Sequence, residues 1–173
     1  IRLRASAQAE ARVNFAIPSE RARLFVNIST ADSTNLLSFR IDFSPPSTRH
    51  HSTDSTYYSV NITGISTAQA PGDETREHAE PWAVFHDELR LHPDETNIIM
   101  RLFVDHTIAE AYWQDRVAMT LPFEPPAGLA LHLETYASES NVASLNGAHV
   151  WSVQSIWVAP EDVLKATASA GSR

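Results

Sequence analysis

The stretch from Asn97 to Phe123, NIIMRLFVDHTIAEAYWQDRVAMTLPF, constrains the fold more than any other part of the chain, because three consecutive runs in it alternate with a period of two. Ile98, Met100, Leu102 and Val104 fall on one side of the first run. In the second, Ala109, Ala111 and Trp113 take one side and Ile108, Glu110 and Tyr112 the other. Successive side chains of a strand point to opposite faces, so the pattern calls for half-buried antiparallel strands. Asp105-His106-Thr107 makes a polar corner between the first two runs, and Gln114-Asp115-Arg116 makes a second break. The stretch reads as a β-meander.

The same signal recurs along the chain. Ile1 to Phe15 alternates from its first residue and reads as one strand, although its Ala, Gln, Glu and Arg would also suit a helix. Ala22 to Ser29 and Leu36 to Phe43 read as a hairpin across Ala31–Asn35, which has turn composition. Further strands are expected at Tyr57 to Ile65, Trp82 to Phe85, Glu88 to Leu91, Gly128 to Tyr136 and His149 to Val158, with a turn at Asn146-Gly147. Ser44 to Thr56, with its Pro45-Pro46, and Thr67 to Glu80 are too polar to bury a face and read as loops. Many short strands with frequent turn signals predict an all-β fold, an antiparallel β-sandwich of the concanavalin-like two-sheet kind, with a barrel as second choice. A chain of 173 residues suits one core, placed here in residues 1–159. Residues 160–173 read as a C-terminal tail that opens with a helical turn at Pro160-Glu161-Asp162.

Composition narrows the function classes. A formal net charge of −8 argues against nucleic acid, because neutralising phosphates takes clustered Lys and Arg. No apolar run approaches the ~20 residues of a membrane span. Without cysteine there is no disulfide and no thiolate metal site, and the eight histidines follow no compact metal-binding spacing. His50-His51 read as solvated loop residues, and neither a metal nor a cofactor is expected. The chain opens on Ile1 rather than Met and reads as a processed chain or fragment. The tripeptides Asn27-Ile28-Ser29 and Asn61-Ile62-Thr63 are N-glycan acceptors, which points to a secreted or vacuolar protein.

Two groups of residues carry candidate chemistry. Asp105 and Glu110 are the nearest approach to a carboxylate pair, but no third acid supports them, which favours a turn acid and an interfacial Glu over acid–base work. Aromatic faces suit the apolar faces of sugar rings. Trp113, beside a polar turn, and its neighbour Tyr112 are the expected carbohydrate platform. Trp151 and Trp157 share parity with Val153 and read as core or interface filling.

MRLFVDHTIAEAYWQDRVAMT resembles the signature strand pair of the C-terminal β-sandwich module of glycoside hydrolase family 32, the invertases and fructan-active enzymes. The matching positions are Arg101, Val104, Asp105, His106, Thr107, Glu110, Tyr112, Met119 and Thr120, with Thr107 standing where Ser is usual. Gly128 to Leu133 and Ala148 to Trp157 look like later strands of that module. The resemblance implies a non-catalytic sandwich that stabilises or docks to a catalytic β-propeller domain or chain carried elsewhere. Asp105, His106, Thr107 and Glu110 would then be corner or domain-interface residues, and the carbohydrate would be sucrose or a fructan. None of the propeller's catalytic segments is present, so this chain alone is not expected to hydrolyse a glycosidic bond. Two alternatives stand beside that expectation: a lectin-like carbohydrate-binding module using Trp113 and Tyr112, and a structural subunit of a larger assembly that reuses the sandwich.

Overall fold

The computed structural model describes residues 2–5, 8–31, 35–45, 58–67, 81–105, 107–122, 131–137 and 144–153. They hold strands β1 (Arg2–Ala5), β2 (Gln8–Ala16), β3 (Ala22–Thr30), β4 (Asn35–Phe43), β5 (Tyr58–Ser66), β6 (Ala83–Leu91), β7 (Asn97–Asp105), β8 (Ile108–Trp113), β9 (Val117–Pro122), β10 (Leu131–Ala137) and β11 (Leu145–Ser152). A six-stranded sheet runs in the order β1-β10-β3-β4-β5-β6, and a five-stranded sheet in the order β11-β2-β7-β8-β9. Every pairing is antiparallel. The all-β two-sheet sandwich expected from periodicity is the architecture observed.

Alternation explains the core directly. Leu24, Val26 and Ile28 of β3 and Leu37, Phe39, Ile41 and Phe43 of β4 face inward from the larger sheet. Val13 and Phe15 of β2 meet them from the smaller one, with Ile98, Met100, Leu102 and Val104 of β7 and Leu121 of β9. At Gly64 on β5 the side chains of β9 close on the backbone, since an added Cβ would lie 2.3 Å from Met119 Sδ and 2.9 Å from Leu121 Cδ1.

The β8–β9 turn is held by side chains rather than by glycine. Gln114 and Asp115 both have positive φ, at 52° and 53°, the φ pair of a type I′ turn, set here within the three-residue loop that Trp113 and Val117 close. Gln114 donates from Nε2 to Glu95 Oε1 and to the Asn97 carbonyl, both at 2.9 Å, and its Oε1 accepts from the Ile99 N–H at 3.0 Å. Arg116 closes the group with bonds of 2.6 and 2.8 Å to the Glu95 carboxylate.

Three expectations about elements are corrected. The stretch read as one strand from Ile1 to Phe15 is two, with β1 in one sheet and β2 in the other. Alternation records which side chains face the core, and both sheets share one core, so it does not reveal a change of sheet. The two short strands expected at Trp82 to Phe85 and Glu88 to Leu91 are one strand, β6, which begins at Ala83 and pairs with β5 along its whole length. Its break in hydrophobicity reflects an edge position, where only Leu89 and Leu91 are buried. Asn146-Gly147 lies inside β11 at a register shift opposite β2, a bulge rather than a turn. The C-terminal tail and its helical turn, most of both polar loops, Trp157, His106 and His50-His51 lie outside the described residues. Among those described, no helix is long and apolar enough to cross a membrane.

Candidate functional site

The polar halves of β3, β4, β5, β6 and β10 face away from the core and together form the outer face of the six-stranded sheet. Register places Tyr136 opposite Phe25, Phe25 opposite Arg40, Arg40 opposite Thr63 and Thr63 opposite His86, one continuous row across five strands. The rings of Phe25 and Tyr136 stack with centroids 4.7 Å apart and planes 14° from parallel. Tyr136 is 47% exposed, so the pair presents an aromatic surface to solvent.

Polar side chains flank this surface and hold one another in place. Asn27, only 2% exposed, donates from Nδ2 to the Tyr136 hydroxyl at 3.2 Å, and its Oδ1 accepts from Ser38 Oγ at 2.8 Å. The Asp42 carboxylate bridges two guanidinium groups, accepting from Arg23 Nε at 3.1 Å on one oxygen and from Arg40 Nε at 2.8 Å on the other. Thr63 Oγ1 and His86 Nδ1 are hydrogen-bonded at 3.1 Å, and Asn61 lies in register between Asp42 and Glu88. Aromatic area beside fixed, planar hydrogen-bonding groups is the chemistry that orients a sugar ring. The groups need little reordering to receive it, which limits the entropy lost on binding.

The residues singled out in the sequence lie elsewhere. Trp113 is 1% exposed and is among the largest fully buried side chains, so it is core and not a platform. Standing beside a polar turn does not expose it, because its parity with Ala109 and Ala111 turns it inward. Tyr112 therefore points the other way, onto the outer face of the five-stranded sheet, where its ring meets Phe103 edge-on at 5.9 Å and 84°. The two cannot form one surface. Trp151 also lies on that outer face, 48% exposed and stacked on His149 at 5.8 Å, and is not core filling.

Asp105 ends β7 and accepts from Gln8 Nε2 at 3.0 Å, with Thr107 following in the turn. Glu110 lies opposite Phe103 on the same outer face. Gln8, Phe103, Asp105, Ile108, Glu110 and Val153 line a shallow cleft of about 260 Å³. Among the described residues no three His, Asp or Glu side chains gather where a metal could sit. The two sequons differ sharply. Asn27 is buried with its Nδ2 hydrogen-bonded, which leaves a glycan no room on the folded chain, whereas Asn61 is exposed.

No protein-family model matches the chain, and no curated protein matches it. Solved structures do. A toad ovary galectin in complex with N-acetylgalactose aligns with a TM-score of 0.53 at 12% identity, over 87% of this chain and 97% of that one. A tetrameric galectin from the ball sponge Cinachyrella sp. aligns with a TM-score of 0.55, also at 12% identity, over 87% of this chain and 98% of that one. The fold is a galectin-like jelly roll. The likeness is one of fold, and it gives no support to a glycoside hydrolase family 32 module. The residues behind that resemblance take ordinary places in the galectin-like sandwich: Val104 and Met119 are core, and Arg101 pairs with Glu10 at 3.1 Å on the surface.

The row from Tyr136 to His86 escaped the sequence reading. Its signal lies in the outward alternates Arg23, Phe25 and Asn27 and in Ser38, Arg40 and Asp42, which fall between the inward apolar positions. What no single strand reveals is the register that sets them side by side.

Proposed function

We propose that this protein is a lectin-like carbohydrate-binding module whose ligand lies on the outer face of the six-stranded sheet. The observation that carries the reading is the exposed Phe25–Tyr136 stack next to the hydrogen-bonded set of Asn27, Ser38, Arg40 and Asp42. A sugar places an apolar ring face on the aromatic pair and directs its hydroxyls to the neighbouring donors and acceptors. The galectin-like fold supports the reading, since one structure of that fold is a complex with N-acetylgalactose. Docking to a catalytic propeller, with Asp105, His106, Thr107 and Glu110 at the interface, and a structural role in a larger assembly find no comparable support.

Glycan-array screening of the full chain, followed by calorimetry on the best ligand, tests the proposal. Binding that Tyr136→Ala weakens by about tenfold, the scale of one lost aromatic stacking contact, is the expected result. No binding to any glycan, or binding indifferent to Tyr136, would overturn it. A glycan on Asn61 would crowd the same face, so the assay should use enzymatically deglycosylated protein.

A further inference from the structure

We infer that the face selects glycans bearing a carboxylate, a uronate or sialate, and that Arg40 is the residue that reads it; the inference rests on the carbohydrate-binding reading above. Arg40 is bound to Asp42 through Nε alone. Its two Nη groups make no hydrogen bond to any described residue, and its side chain is 34% exposed. The guanidinium is therefore fixed at its base and open at its fork. A guanidinium fork matches a carboxylate bidentately, an arrangement stronger and more directional than a neutral hydrogen bond.

Position makes the open fork relevant. Arg40 is the direct cross-strand neighbour of Phe25. Adjacent strands lie about 4.8 Å apart, so a sugar ring resting on the Phe25–Tyr136 stack brings a substituent of its edge over β4, the strand that carries Arg40. The nearest acid does not oppose an anion there, because the single charge of Asp42 is shared between Arg23 and Arg40. On the other side of Arg40, Thr63 and His86 bond each other and place no carboxylate in the row. A chain of net charge −8 thus offers a locally cationic, half-buried donor beside its aromatic surface.

The test compares each bound acidic glycan with its carboxyl-reduced counterpart, and with a sulfated glycan of equal charge, by calorimetry at two salt concentrations. The expected result is a loss of about tenfold or more on carboxyl reduction, the scale of one charge-assisted pair. Arg40→Gln should abolish that difference between native and reduced glycan, and Arg40→Lys should restore part of it. Equal affinity for native and reduced glycans overturns the carboxylate assignment and leaves the lectin reading standing. Equal affinity for the sulfated glycan also overturns it, because a guanidinium fork accepts a sulfate bidentately as well and the face would then select an anion rather than a carboxylate. No glycan binding overturns both. Carboxyl reduction alters the ligand alone, so the comparison holds even if an Arg40 variant fails to fold.

Discussion

The side-chain amide of Asn27 joins Tyr136 to Ser38, donating to the phenol at 3.2 Å and accepting from the serine hydroxyl at 2.8 Å. A buried amide thereby sets the position of an exposed ring. Asn27→Ala removes both bonds and leaves the Ser38 hydroxyl without that acceptor. The expected cost is about 1–3 kcal/mol in urea unfolding, with weaker glycan binding in the fraction that remains folded. Unchanged stability would mean that the amide does not hold the ring.

Trp113 separates a core role from a binding role. Its indole fills the sandwich, but its Nε1–H has no hydrogen-bond partner among the described residues. Trp113→Ala should lower stability by about 3–5 kcal/mol through cavity formation. Trp113→Phe should cost less, because it also removes the unpartnered donor. Denaturant titrations of the two variants check the order. The folded Phe variant should keep wild-type glycan affinity, an outcome incompatible with the platform role read from the sequence.

At Gly64 the contact with Met119 leaves no room for a methyl group. Gly64→Ala is expected to destabilise by about 1–3 kcal/mol, the usual penalty of overpacking. Adding Met119→Ala should recover part of that loss, because it removes the clashing sulfur. A thermodynamic cycle on the four proteins measures the coupling, and strict additivity would show that the backbone yields instead.

Glu95 gives the fold an acid-side dependence. Burial raises its pKa, but the hydrogen bond from Arg116, the bond from the His92 N–H and the nearby positive charge together outweigh burial and hold it below the usual carboxylate value. Its folded pKa lies under its unfolded one, so its contribution is complete above the ordinary carboxylate range and is lost as pH falls through the depressed value. Thermal melts across pH should show the wild-type advantage over Glu95→Gln present at neutral pH and shrinking as the solution is acidified. A constant gap across that range would refute the assignment.

Much of the architecture was legible because burial imposes a period. Alternation alone assigns Leu37, Phe39, Ile41 and Phe43 inward, and likewise Ile98, Met100, Leu102 and Val104, and both sets are core. The candidate site was not legible, because it depends on register between strands far apart in sequence. Phe25 and Tyr136 are 111 residues apart and touch only because β10 inserts between β1 and β3. Trp113 misled for the opposite reason: closeness to a turn in sequence suggested exposure, while one step of alternation placed it in the core.

The Gln114-Asp115 turn carries a consequence for redesign of the chain. Asn-Gly is the pair that such a hairpin turn most favours, since both central residues have positive φ. Installing it would relax the local backbone and shorten the side chain that now reaches Glu95, Asn97 and Ile99. The hairpin taken alone would gain, while the side-chain bonds that tie its turn to β7 and Glu95 would be lost, leaving the backbone pairing of β8 with β7. Consensus at this turn is a local optimum that the folded domain has reason to refuse.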